Sequence, residues 1–546
     1  MKEIRRVMKQ TIRDTPRVLI NTFSGRLCDK AEQLSVFEDL SIFKELVSSM
    51  TTQLDLPRIE QVVKEYCRYV MLSHRWEENE PLFEKVVNKS IYDLEVSPEN
   101  EKLRRFCSLA RDTGFHWAWS DTCCINKNDN RVLQESLVAM FTWYHDSSLT
   151  LVFLRNVGKL AKPGDLRRSI WNTRAWTFQE YLASKAIRFY TEDWTPYLNL
   201  DVFNHKDVPE IVSEMEQATG AGAHQLLTLR PGFDNICEKL HLASTRETTL
   251  VEDAAYSLLG IFSVRGMPVI YGEGKEALGR LLEIVLSGSG DSSILAWTGK
   301  PSSYNSCLPD EITVFKQLAT SHLPRPLTDT EMEKIVKQLR TSSLDVDLAV
   351  ALYDRLHDLP SPSCFSRRLK LPCIMFPLST IVPSPTMTPV RTYRTRIPSL
   401  GIVDIRATED LSMLEHLYLV HPWIHDLLDR EHPRSATIKD DLVPHLPLLD
   451  EGNPIFDDHI TYRQLLSYEA PPHSFPLRRA PMDKQTRALR LIARLRQPFG
   501  ALLLTPMREG SMEYKRVATS SMITVRVQED ADLSRLVHSA RTLDVL

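Results

Sequence analysis

The sequence has few of the features that mark secreted, membrane-spanning or nucleic-acid-binding proteins. Its nine cysteines include no Cys-x-x-Cys pair, which argues against a disulfide framework or a zinc module and favours a reducing compartment. No apolar run approaches the roughly 18 residues that span a bilayer. Lys and Arg number 67 against 71 Asp and Glu, so the net charge of −4 gives no general attraction for nucleic acid or anionic lipid. We expect a cytoplasmic protein with no membrane span, no nucleic-acid partner and no bound metal.

The length of the chain and the changes in residue pattern along it indicate several domains. A chain of 546 residues is too long for one hydrophobic core. The pattern predicts an N-terminal extension (1–68), an α/β domain (69–200), a helical extension of that domain (201–310), a helical and Pro-rich linker (311–393) and a smaller β-rich C-terminal unit of unknown role (394–546).

Three tryptophan-rich blocks are the most informative feature of the chain. They lie at Tyr69–Trp76, Trp117–Asn126 and Trp171–Glu180, and they hold five of the nine Trp residues. Short apolar runs at 69–73, 115–119, 149–154 and 186–190 alternate with helical patterns, which predicts a parallel sheet flanked by helices. Such sheets bind ligands at the carboxyl ends of their strands, where Ser73, His74, Arg75 and Asp121 would lie.

The third block pairs an aromatic side chain with an acid. Trp176 and Glu180 are four residues apart on a predicted helix and therefore share a face. The indole could stack a base or nicotinamide-type ring while the carboxylate holds a ribose hydroxyl or a developing cation. The alternative is a surface glutamate beside a half-buried tryptophan, paired with Arg174.

Each of the other candidate site residues also has a structural explanation that needs no ligand. Arg75 suits a phosphate, but it could pair with a nearby acid such as Glu77. His74 has no evident partner as a general base, and Asp121 could cap the following turn instead of binding a ligand. Cys123 and Cys124 lack zinc-site spacing and favour packing roles. The stretch 272–275 (Gly-Glu-Gly-Lys) resembles an anion-binding helix start but favours a tight turn.

The three blocks resemble a known family. Leu72–Trp76, Asp121–Asn126 and Arg174–Glu180 resemble, in order and spacing, the signature blocks of the fungal heterokaryon incompatibility (HET) domain. Two later stretches, 246–260 and 271–274, resemble the extension that often follows it. One departure is Lys127, where the family often has Gln.

The resemblance implies a fold and a chemistry. HET domains are similar to TIR domains, whose flavodoxin-like sheet has five parallel strands. Many TIR domains cleave NAD with a glutamate four residues after a tryptophan, which implies Glu180 as the catalytic residue and NAD as substrate rather than cofactor. The substrate-binding residues would be Ser73, His74, Arg75, Asp121 and Trp176.

The resemblance also implies a cellular role. The chain would be a self/non-self recognition protein of fungal innate immunity, and an unknown protein would activate it to cause programmed cell death. The alternative is a non-enzymatic adaptor that signals death by homo-oligomerisation through the HET domain. A third interpretation is a domain that has lost activity beside a partner-binding C-terminal half.

Overall fold

The chain forms two compact units in a computed structural model that describes residues 1–49, 55–317, 327–384, 390–423 and 482–546. The N-terminal unit contains Met1–Asn235 and Leu242–Ala277. The C-terminal unit contains Ile236–His241 and Leu278–Leu546. The predicted boundaries at 68, 200, 310 and 393 stay predictions.

Helices and strands alternate through much of the described chain. The α-helices are α1 (Lys2–Thr11), α2 (Lys30–Asp39), α3 (Ser41–Ser49), α4 (Leu56–Tyr66), α5 (Phe83–Val86), α6 (Pro98–Asp112), α7 (Asn130–Asp146), α8 (Ala175–Ala183), α9 (Pro209–Thr219), α10 (Ala223–Thr228), α11 (Ile236–Ser244), α12 (Asp253–Tyr256), α13 (Glu276–Ser289), α14 (Asp329–Thr341), α15 (Val346–His357), α16 (Lys484–Leu495) and α17 (Leu533–Ser539). The strands are β1 (Val18–Asn21), β2 (Leu27–Asp29), β3 (Tyr69–His74), β4 (Trp117–Trp119), β5 (Leu149–Phe153), β6 (Ile187–Tyr190), β7 (Ser363–Phe365), β8 (Arg368–Pro377), β9 (Ile381–Pro383), β10 (Arg391–Ile397), β11 (Gly401–Ala407), β12 (Tyr418–Pro422), β13 (Phe499–Pro506), β14 (Glu513–Arg516), β15 (Ile523–Val525) and β16 (Ala540–Val545).

A six-stranded sheet in the order β2-β1-β4-β3-β5-β6 forms the centre of the N-terminal unit. Strands β4, β3, β5 and β6 are parallel, and α6, α7 and α8 connect them in turn. Every residue of β3 and β5 is buried, as expected for central strands covered on both faces. The predicted parallel strands flanked by helices are therefore confirmed.

Side-chain caps set the starts of the helices that cover this sheet. Ser97 accepts a hydrogen bond from the Asn100 backbone at the start of α6, and Pro98 occupies the first turn. Asp129 caps α7 in the same way. In α7, Leu137, Met140 and Tyr144 are buried in the core at a spacing that places them on one face of the helix.

Two short strands ahead of the parallel strands also belong to this sheet. Strand β1 pairs antiparallel with β4, with Ile20 opposite Ala118, and β2 forms a hairpin with β1. These strands lie inside the segment predicted as an N-terminal extension. They cover the edge of β4, so the segment contributes to the fold of the α/β sheet.

The C-terminal unit is rich in β structure, as predicted for residues 394–546, but β7, β8 and β9 lie in the stretch 311–393 that was predicted as a helical and Pro-rich linker. Strands β8, β12, β13, β14 and β16 close into a ring, because β8 pairs with both β12 and β16. An odd number of strands cannot alternate in direction around a closed ring, and β14 and β16 supply the one parallel pair. Strands β9, β10 and β11 form a separate antiparallel sheet.

Helices α14 to α17 supply the other side of this core. Leu352 of α15 and Leu491 of α16 are fully buried in it. Residues 318–326 and 385–389 of the predicted Pro-rich linker lie outside the described residues, as do residues 424–481 of the predicted β-rich unit. Among the helices that the structure describes, none combines the length and hydrophobicity needed to cross a bilayer.

Candidate functional site

The end of β3 places a serine between a tryptophan and the glutamate of the third block. Ser73 is fully buried, and its hydroxyl accepts a hydrogen bond from Trp171 Nε1 at 2.8 Å. The same hydroxyl donates to Glu180 Oε2. Because the indole N–H can only donate, the single serine proton is directed at the carboxyl group. Residues predicted from separate sequence blocks therefore meet at the carboxyl end of β3.

Glu180 is buried rather than on the surface. It lies on α8 and is 5% exposed. Burial and the negative charge of Asp121 raise the pKa of Glu180 to about 8, although Ser73, Arg174 and Tyr144 oppose the shift. No ion pair to this carboxyl group forms within the described part of the chain. The alternative of a surface acid paired with Arg174 is therefore wrong.

A buried arginine from a later segment completes the surroundings of α8. Arg246 donates to the Arg174 carbonyl at 3.2 Å, and its guanidinium lies 4.7 Å from the centre of the Phe178 ring. Burial lowers the pKa of Arg246 to about 9, and the charge of Glu180 opposes that shift. Glu247 makes backbone hydrogen bonds to Thr173 and Ala175, at 2.6 and 3.0 Å.

Arg246 was not predicted as a site residue. The only signal for it was its position at the start of the 246–260 stretch that resembles the family extension.

Asp121 lies at the same edge of the sheet, two residues after β4 ends. Its carboxylate accepts a hydrogen bond from Trp76 Nε1 at 2.6 Å. Lys127 Nζ lies 3.4 Å from the centre of the Trp76 ring, a cation–π contact. Asp121 thus links the first and second blocks and acts electrostatically on Glu180.

His74 points away from this group. Successive side chains of a strand face opposite sides of the sheet, so His74 lies on the face opposite Ser73. Its Nε2 is 3.0 Å from Glu80 Oε2, and Lys102 of α6 donates to the other Glu80 oxygen. Burial raises the pKa of Glu80, but His74 and Lys102 outweigh burial and hold it at about 2. Glu77 extends this buried cluster to Arg155 at 2.8 Å.

The two remaining predicted residues show no contact with Glu180 among the described contacts. Arg75 is exposed, and within the described ranges it forms no ion pair. Trp176 is half-buried and donates a hydrogen bond to Asp253, which also accepts one from Tyr271 at 3.1 Å. Ser73, Asp121 and Glu180 therefore come together, whereas His74, Arg75 and Trp176 have other surroundings.

The glycine-rich stretch ahead of α13 already holds an anion from this chain. The Glu252 carboxylate accepts hydrogen bonds from the backbone N–H groups of Gly272 and Gly274, at 2.8 and 2.9 Å. Burial opposes ionisation of Glu252, but these backbone donors prevail and lower its pKa. The stretch is a turn stabilised from within.

Potential metal ligands do not cluster at this site. Cys123 and Cys124 are buried free thiols. Among the residues with described side chains, donor groups close enough for a metal occur at Glu415, His416 and Glu509, all exposed in the C-terminal unit. The chemistry available beside Ser73 is that of carboxyl, hydroxyl and indole groups.

Comparison with known proteins agrees with the resemblance of the tryptophan blocks. Vegetative incompatibility protein HET-E-1 of Podospora anserina is 33% identical over 226 residues, which cover 39% of this chain and 16% of that protein. The chain therefore spans about a sixth of the length of this relative. No solved structure is significantly similar to the chain. Residues 69–164, which contain Ser73 and Asp121 but end before Glu180, match the family described as Heterokaryon incompatibility protein (HET).

Proposed function

We propose that this chain is a heterokaryon incompatibility protein of fungal self/non-self recognition that triggers programmed cell death by cleaving NAD. The observation that carries the proposal is the buried Glu180 carboxyl group, hydrogen-bonded to Ser73 at the carboxyl edge of the parallel strands. The strand order β4-β3-β5-β6 adds support, because it corresponds to the first four positions of a flavodoxin-like sheet, 2-1-3-4. A TIR-like fold is therefore part of the proposal.

The proposed reaction breaks the bond between ribose C1′ and the nicotinamide nitrogen. The pyridinium ring takes the bonding electron pair and leaves as neutral nicotinamide, so the reaction needs no acid for the leaving group. Ionised Glu180 stabilises the oxocarbenium-like ribose, as carboxylates do in glycoside hydrolysis. Water then adds to C1′ and gives its proton to the carboxylate, which yields ADP-ribose.

The raised pKa of Glu180 has a direct bearing on this mechanism. A carboxyl group with a pKa of about 8 is mainly protonated at neutral pH. A cationic nicotinamide ring beside it favours the ionised form, because an opposite charge lowers the pKa of an acid. Substrate binding would thus produce the charge that the reaction uses.

The test is NAD consumption by the full chain, purified and expressed in cells, with Glu180→Gln as the variant. The matched control is Glu214→Gln, which changes another glutamate that is 5% exposed and bonded to Tyr197. We expect the first variant to abolish NAD loss and cell death and the control to retain both. Cell death that persists in Glu180→Gln would reject the proposed chemistry.

The burial of Glu180 favours a second function. A carboxyl group that is 5% exposed needs a conformational change before it can meet a substrate, and an adaptor would need none. On this alternative the domain signals by self-association, and exposed apolar residues such as Leu250 and Val251, 48% and 54% exposed, would contribute. Loss of assembly and of cell death in Leu250→Asp, with cellular NAD constant in the wild type, would favour the adaptor.

A further inference from the structure

Trp76 differs from the other tryptophans around the parallel strands in being exposed. Its side chain is 41% exposed, whereas Trp117, Trp119 and Trp171 are each 1% exposed. A large aromatic side chain at the ligand-binding edge of a sheet is a candidate contact for a ligand.

Two contacts hold the Trp76 indole in one orientation. Nε1 donates to Asp121 at 2.6 Å, and Lys127 Nζ lies 3.4 Å from the ring centre. A side chain already held in place loses little conformational entropy when a ligand stacks on it. The exposed surface of the indole can therefore stack on a flat ring of a ligand at little entropic cost.

The charge of Lys127 limits which flat ring is suitable. A cation already lies over the indole and draws on its π electrons, so a second cation stacked on the same ring is disfavoured. Of the two rings of NAD, nicotinamide carries a positive charge and adenine is neutral. The arrangement therefore favours adenine.

Asp121 connects this indole to the proposed catalytic group. It is bonded to Trp76 and lies close enough to Glu180 for its charge to act on that carboxyl group. We propose that Trp76 is the adenine-stacking residue of the nucleotide site, with Lys127 as the positioning residue that fixes the indole. This inference rests on the proposed function, because it names where one end of the nucleotide binds.

The experiment measures binding of AMP and of nicotinamide mononucleotide to the full chain by calorimetry. Replacing an aromatic ring that stacks on a base weakens binding roughly five- to hundredfold. We expect Trp76→Ala to weaken AMP binding by that factor and Trp76→Phe to retain most of it. Nicotinamide mononucleotide should bind equally to wild type and to Trp76→Ala.

The matched control is Phe23→Ala. Phe23 is 55% exposed, but it contacts His116, which precedes β4, so it lies at the opposite edge of the sheet from Asp121. We expect this variant to bind AMP like the wild type.

The test separates this inference from the proposed NAD cleavage. AMP binding that depends on Trp76 supports the stacking site even if NAD is left intact, in which case only the proposed reaction fails. Equal AMP binding by wild type and Trp76→Ala overturns the inference even if NAD is cleaved. So does an absence of AMP binding, or a dependence on Trp76 for nicotinamide mononucleotide alone.

A second measurement guards against a variant that fails to fold. Wild-type protein labelled with 5-fluorotryptophan gives one resonance per indole, and Trp76→Phe identifies that of Trp76. AMP should shift this resonance more than the others, and an unchanged Trp76 resonance at saturating AMP would overturn the inference.

Discussion

Ser73 has one hydroxyl proton, and its two neighbours decide where that proton points. Trp171 Nε1 donates to the hydroxyl, which in turn donates to Glu180. Tyr144 lies nearby and donates to the Leu72 carbonyl at 2.9 Å. The Glu180 carboxyl group thus accepts a hydrogen bond from the neutral Ser73 hydroxyl, and burial makes its ionised form costly.

The first prediction concerns stability and Glu180. The pKa of this group is about 8 in the folded protein and 4.5 for an exposed glutamate. Folding therefore favours the protonated form, and the stability from this preference is fully present below about pH 4.5 and lost as pH rises through 8. We expect the melting temperature of the wild type to fall relative to Glu180→Gln between about pH 5 and pH 9. If the melting temperatures of the two proteins changed equally with pH across this range, the raised pKa of Glu180 would be contradicted.

The second prediction concerns the pH dependence of NAD cleavage and Asp121. If Glu180 must be ionised, kcat/KM should rise with pH and level off above about pH 8, since this parameter reports the free enzyme. The charge of Asp121 helps to raise that pKa, so Asp121→Asn should move the rise to lower pH. Asparagine keeps an acceptor for Trp76. If kcat/KM of Asp121→Asn rose at the same pH as that of the wild type, the charge of Asp121 would not act on the catalytic group.

At the level of single residues, part of the site could be predicted from the sequence. Ser73 lies near the carboxyl end of β3 and Asp121 lies just beyond that of β4, and the geometry of such sheets brings strand ends together. Arg246 and Lys102 were not predicted, because each reaches its partner from a helix or loop distant in sequence. The Asp253 partner of Trp176 depends on a tertiary contact in the same way, whereas Glu80, the partner of His74, follows it by six residues.

Strand β3 separates two buried polar groups, one on each face. Ser73 meets Glu180 on one face, and His74 meets Glu80 and Lys102 on the other. Because side chains alternate along a strand, neighbouring residues of one motif have different surroundings. The motif Ser73–Arg75 therefore does not act as one unit.

The third prediction tests the Glu80 cluster. Lys102→Met removes one partner of a buried carboxylate, which typically costs about 3–5 kcal/mol of unfolding free energy. Glu80 has a lowered pKa, so the stability from its ionised form is present above about pH 4.5 and lost as pH falls toward 2. The variant should therefore lose most at neutral pH, as measured by urea unfolding.

The control for this variant lies on the same helix. Arg105 is 64% exposed and pairs with Glu101, and Arg105→Met should cost less than about 1 kcal/mol. Equal losses for the two variants would mean that the Glu80 cluster contributes no more than a surface ion pair.

The elements of the parallel sheet were predictable, and their neighbours were not. Runs such as Leu149–Leu154 are too apolar and too short for anything but a buried strand. The pairing of β1 with β4 could not be predicted, because four residues of strand do not specify a partner about 100 residues away. The high proline content after residue 360 gave no indication that this region forms a closed ring of strands.

The N-terminal unit as a whole is larger than the region of family similarity. The match covers 69–164, yet β1 pairs with β4, and Arg246 and Glu247 bind to the start of α8. These contacts come from both sides of the sequence. They satisfy backbone groups that would otherwise be left open at a sheet edge and a helix start.

The fourth prediction follows from those contacts. A fragment of residues 69–200 should aggregate or lack fixed tertiary structure, whereas residues 1–277 should fold, because only the longer fragment keeps β1 and Arg246. Circular dichroism and amide chemical-shift dispersion would distinguish them. A well-dispersed spectrum from 69–200 would show that the added segments are dispensable.

The ring of strands in the C-terminal unit has a consequence for synthesis on the ribosome. Its first strand, β8, is hydrogen-bonded to its last strand, β16, across about 170 residues of sequence. Contacts of this range form slowly and only after both partners exist. Translation must therefore pass residue 545 before the ring can close, whereas the sheet around Glu180 can assemble while the ribosome is still elongating. The nascent C-terminal half would be exposed to chaperones for longer than the N-terminal half.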